Sequence, residues 1–133
     1  LERAPAAGGS YVRANAAQGE TRSHGFFYKA ESEVEGIVGL PILGGKRSAS
    51  LLYLKNQSLN LSELGTLDAQ AGNVNDNCRA SCVDWYGNSR PLFLRGRVFA
   101  LLGYEIVEGR MRGGRIQETN RVNFAPATVE LSR

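Results

Sequence analysis

The chain reads as all-β, and three observations carry that reading. Its apolar residues fall in short runs of strand length; glycine, asparagine or serine separates the runs; and no segment holds a 3.6-residue period through three turns. Residues 62–70 come nearest to a helix, and Gly65 interrupts them. At 133 residues, 42% of them hydrophobic, the chain has the size of one ordinary domain and enough apolar material for a core.

The elements follow in order. Residues 1–9, "LERAPAAGG", are small and punctuated by proline and glycine, and read as an extended arm or linker. The first residue is Leu1, so the start reads as processed or truncated. "HGFFYKA" (24–30), "GIVGLPIL" (36–43), "SLLYLK" (50–55) and "SLNLSEL" (58–64) are strand candidates. Residues 91–124 then divide into four strand-sized pieces at Arg95-Gly96, at Gly103 and at Arg112-Gly113-Gly114. Glycine supplies the positive φ that tight hairpins need, so these breaks predict an antiparallel meander. A short tail, 127–133, carries Val129 and Leu131 in alternation and could add an edge strand.

Residues 51–68 lie over residues 91–108 without a gap, at an offset of 40. Leu52, Leu54 and Leu61 meet Leu92, Leu94 and Leu101; Tyr53 meets Phe93, Lys55 meets Arg95, and Asn56 meets Gly96. Asn and Gly both tolerate turn conformations, so the overlay places a hairpin turn at Lys55-Asn56 as well. A four-stranded unit recurring at this spacing is that of a β-propeller blade. On that basis residues 10–126 hold about three blades, roughly 10–46, 47–88 and 89–126. Blades are not stable alone, and closed rings take more of them, so another polypeptide is the expected partner.

The charge is mild. Thirteen arginines and three lysines stand against 13 acidic residues, a net +3. Arg110, Arg112, Arg115 and Arg121 are interleaved with Glu105, Glu108 and Glu118, which dilutes any phosphate-binding stripe and argues against nucleic acid. A solvated, arginine-rich sheet edge is the expectation instead. No apolar run reaches the length of a membrane-spanning helix.

"CVDWYGNSRPLFLRGRVFALLGYEIVEGR", with "HGFFYK" and "VGLPIL", resembles the C-terminal part of the secreted bacterial β-propeller domain family, distantly related to the WD-repeat propellers. The resemblance covers roughly residues 22–126 and rests on the W-x-G-N and F-A-L-x-G-Y segments. It implies an exported, non-catalytic module, periplasmic, outer-membrane-associated or extracellular. A family member would carry further blades upstream.

Cys78 and Cys82 are the only cysteines. Structural zinc needs four ligands, and the single histidine, His24, is far away in sequence, so no metal or cofactor is expected. Redox and haem motifs use two intervening residues rather than three. In an exported chain with an even cysteine count, a local disulfide across "RAS" is the reading. Asn73, Asn75, Asn77 and Asp84 imitate calcium-loop spacing, but the glycine and the final glutamate are missing. Ser23 and His24 are strand neighbours that point to opposite faces, and no G-x-S-x-G elbow occurs, so a hydrolase is not favoured. Glu31, Glu33 and Glu35 are expected to alternate onto one solvent-facing strand face. The sequons at Asn56 and Asn60 carry little weight.

Trp85, Tyr86 and Arg90 form the candidate binding loop: an aromatic platform for a sugar or peptide, or a tryptophan packed between blades. The function expected is a non-catalytic scaffold for protein interaction. The alternative is a self-contained small sandwich or barrel binding carbohydrate or peptide through the Trp85-Tyr86 loop.

Overall fold

A computed structural model of the chain describes residues 4–18, 25–43, 49–70 and 89–125. They form two antiparallel sheets. The first contains β1 (Ala17–Gln18), β2 (Phe27–Ala30), β3 (Glu35–Leu43), β4 (Ala49–Gln57) and β5 (Asn60–Asp68). β1 and β2 share one side of β3, against Ile42–Leu43 and Gly36–Gly39 respectively, so the sheet is four strands wide. The second is a meander of β6 (Ser89–Leu94), β7 (Arg97–Leu102), β8 (Glu105–Arg112) and β9 (Arg115–Asn123).

The all-β expectation holds, and the second meander turns where its glycines predicted. Arg95 and Gly96, Gly103, and Gly113 with Gly114 all have positive φ, the backbone region that glycine enters without penalty. The overlay at offset 40 is corrected in detail. Lys55 and Asn56 lie inside β4, paired with Ser62 and Leu61. The hairpin turn is at Ser58 (φ 50°) and Leu59 (φ 71°), so the two turns are not in register at that offset. Gly8 and Gly9 pack directly on this turn: a Cβ on Gly9 would lie 1.8 Å from the Leu59 carbonyl oxygen. The expected boundary at residues 46–47 falls between β3 and β4, which pair along their whole length. The described strands group into two sheets.

The sheets pack face to face, β3 over β6 and β5 over β9. Alternation sends Ala49, Leu51 and Tyr53 inward from β4, to meet Ala100, Leu102, Val107 and Ile116 from the second sheet in one cluster. Tyr53 is fully buried; its hydroxyl donates to the Phe99 carbonyl, 2.7 Å away, and burial pushes the phenol's pKa up. On one side, Gly39 lets β3 approach β6: a Cβ there would sit 2.6 Å from Pro91 Cβ. Pro91 is tolerated because β6 is an edge strand of its sheet.

Two bulges shape the other side. In β5 the pairing slips so that Leu64, like Leu67, turns into the core, although residues three apart in a regular strand face opposite ways. In β9 the slip between the Glu108 and Gly109 pairs likewise brings Glu118 and Arg121 onto one face. Arg121 then donates to Glu105 (2.7 Å), to Glu118 (2.7 Å) and to the Asp68 carbonyl (2.8 Å). The other oxygen of Glu105 accepts the Gln70 amide at 2.9 Å. This half-buried arginine ties the end of β5 to the second sheet.

The expected arm is longer than residues 1–9. Beyond Gly9, Tyr11 and Ala16 pack on Ile42, Leu52 and Leu54, which face away from the main core. Glu63 fastens the arm, accepting from the Tyr11 hydroxyl and from Arg13 at 2.7 Å. The Tyr11 hydrogen bond, with Arg13 and Arg115 nearby, holds the Glu63 carboxyl below its ordinary pKa.

Candidate functional site

Among the sequence-predicted site residues, Arg90 lies within the described residues. Cys78, Cys82, Trp85 and Tyr86 lie outside them, as do Ser23, His24 and the Asn73–Asp84 positions. Glu31, Glu33 and Glu35 do not share a strand face. Residues 31–34 form the β2–β3 turn, where Ser32 Oγ accepts the amides of Val34 (3.3 Å) and Glu35 (3.1 Å). A serine that bonds its own following backbone favours a turn over a continued strand. Among the described residues no group of three or more histidine, cysteine or acidic side chains could hold a metal ion. Glu105 and Glu118, the carboxylates brought together by Arg121, are both engaged by that guanidinium and offer no free acid–base pair.

Arg90 belongs instead to a surface assembled by strand register. With Ala100, Leu102 and Val107 pointing inward, the alternate residues of β6 to β9 point out. Cross-strand pairing sets them in rows. Arg90, Leu101, Ile106 and Val122 form the first row; Leu92, Phe99, Glu108 and Asn120 the second. Leu94 and Arg97 continue into the third, beside Arg110 and Gln117. Leu94 is 62% exposed and Val122 54%, while Leu92, Phe99, Leu101 and Ile106 are half-buried.

One carboxylate sits in the middle of this apolar field. Glu108 is buried because Arg97 folds over it in a two-pronged ion pair, 2.8 and 2.9 Å, and stacks at 4.9 Å over Phe99. The Arg97 hydrogen bonds hold the Glu108 carboxyl below its ordinary pKa. The pair neutralises itself and lies flat, so it adds area to the face without breaking it. Arg90, Arg110 and Arg112 are exposed and make no ion pair among the described residues. The solvated arginines expected from the sequence are thus partly found: Arg110, Arg112 and Arg115 are exposed, Arg115 reaching Glu63 at 3.7 Å, whereas Arg121 is half-buried.

No protein-family model matches this chain, and no curated protein or solved structure does either. The surface stands on its own geometry. It is a sheet face on which half of the row positions are apolar, with exposed arginines at its rim. The sequence overlay had aligned Leu92, Leu94 and Leu101 with Leu52, Leu54 and Leu61 without asking which face each occupied. Period-two alternation in "RPLFLRGRVFALL" was the signal that could have found the surface.

Proposed function

We propose that this chain is a non-catalytic interaction module that accepts a partner polypeptide on the outer face of its second sheet. The observation that carries the reading is unequal coverage. The first sheet's outer apolar residues, Ile42, Leu52 and Leu54, are buried, with Tyr11 and Ala16 of the N-terminal segment packed on them. The second sheet's outer face has no such cover from the described residues, and Leu94 and Val122 are more than half exposed on it. Contiguous apolar surface rimmed by polar groups is a mark of an association site. In stacked architectures a terminal unit has one capped face and one open face.

The propeller-blade reading belongs with this proposal. Its support is that two antiparallel sheets, each four strands wide, stack in the same strand order, β3 over β6 and β5 over β9. Neighbouring blades pack in that way, and the open face would then receive the next one. An exported setting is part of the same reading, on the strength of an even cysteine count, Cys78 and Cys82, which suits a local disulfide.

A displayed random-peptide library, panned on the intact chain and on a Leu94→Glu/Val122→Glu variant, tests the proposal. The expected result is a set of sequences enriched on the intact chain and lost on the folded variant. Equal enrichment on both, or none on either, would contradict it.

A further inference from the structure

We infer that the partner accepted by this face is acidic: an extended segment with a short apolar run flanked by carboxylates. The inference rests on the interaction-module reading and adds the partner's chemistry. The apolar part of the match is set by Leu92, Leu94, Phe99, Leu101, Ile106 and Val122, which occupy neighbouring positions in the three rows. The charged part is one-sided. Glu108 is the one acidic residue among the three rows, and Arg97 cancels it. Arg110 shares the field of Glu108 without an ion pair to it, and Arg90 at one corner and Arg112 toward the opposite end make no ion pair among the described residues, so the face keeps a positive excess there.

That balance decides between occupants. A second copy of the chain related by a two-fold axis would bring this face against itself, arginine toward arginine, which repels. A neutral apolar strand would cover the leucines but leave the guanidinium groups at the rim with water alone. An acidic segment meets both demands. Two strand spacings and four residues of rise put the Cα atoms of Arg90 and Arg110 about 17 Å apart. Carboxylates six residues apart in an extended chain are about 20 Å apart and on the same side, within reach of two arginine side chains.

The test uses three fluorescent, end-capped peptides: Glu-Ser-Leu-Ser-Leu-Ser-Glu, the same peptide with Gln at both ends, and the same with Lys. Anisotropy titrations on the intact chain at low salt should rank them acidic, neutral, basic. The acidic peptide should bind roughly three- to thirtyfold more tightly than the neutral one, as two exposed ion pairs allow. Its advantage should shrink as salt is raised. Arg90→Glu/Arg110→Glu should invert the order in favour of the Lys peptide. Equal binding of the acidic and neutral peptides would overturn the acidic inference and leave the interaction reading standing. Self-association of the intact chain, abolished by Leu94→Glu, would overturn it in favour of a second copy. Absence of both binding and self-association would remove the inference and the reading beneath it.

Discussion

The two outer faces of this molecule begin from similar material and end differently. β4 contributes Leu52 and Leu54 to one; β6 contributes Leu92 and Leu94 to the other. Leu52 is 3% exposed and Leu54 6%, whereas Leu94 is 62% exposed. Strand position accounts for part of the difference, since β4 is central in its sheet while β6 is an edge strand that ends at Leu94. The N-terminal segment adds to it: Tyr11 and Ala16 pack on Leu52 and Leu54, and the segment is tied by Tyr11 and Arg13 to Glu63 and seated through Gly8 and Gly9 on the Leu59 turn. A leucine's worth in this fold is therefore set by what the rest of the chain lays over it. One face has become a second core; the other has apolar area that no described residue covers.

Substitutions can break or sharpen that contrast. The largest effect is expected for Leu52→Ala, which should lower unfolding stability by about 2–5 kcal/mol in chemical denaturation, since it opens a cavity under the arm. Gly9→Ala should cost roughly 1–3 kcal/mol, because its methyl would collide with the Leu59 carbonyl and lift the arm. Increased proteolysis near residue 9, with the second sheet intact, would mark the cause. Tyr11→Phe should cost about 0.5–1.5 kcal/mol by removing the hydrogen bond to Glu63.

The same carboxylate gives the arm a pH dependence. The Glu63 pKa is lower in the folded chain than its ordinary value of 4.5. Its stabilisation is thus fully present above that value and is lost as pH falls through the folded pKa. A pH titration of stability should show this acid-side loss, and Glu63→Gln should flatten it. The smallest effect belongs to the other face: Leu94→Ala should change stability by no more than about 0.5 kcal/mol, even though it shortens the same kind of side chain as Leu52→Ala. Comparable losses at Leu52 and Leu94 would dissolve the contrast.

How much of this was legible depended on where the signal was local. The turns of the second meander were readable because glycine stands at each one. The turn at Ser58-Leu59 was not, since neither residue advertises positive φ; a contact with Gly8 and Gly9, some fifty residues earlier, accompanies it. The pairing of β3 with β4 is not legible in the sequence, because the two strands read equally well as the end and the start of separate units. Bulges escaped for the same reason: the slips that bring Leu64 into the core and Glu118 beside Arg121 are events between strands. Of the candidate binding loop, Arg90 alone lies within the described residues, at the corner of a surface that sequence alternation implies.

Solvent relaxation of methyl resonances tests that asymmetry most directly. A soluble nitroxide should broaden the Leu94 and Val122 methyls strongly and leave Leu52 and Leu54 sharp; adding the glutamate-flanked peptide should then protect Leu94 and Val122 alone. Equal broadening of all four residues, or protection of Leu94 and Val122 before any peptide is added, would contradict the division of the molecule into one face covered by its own chain and one open to a partner.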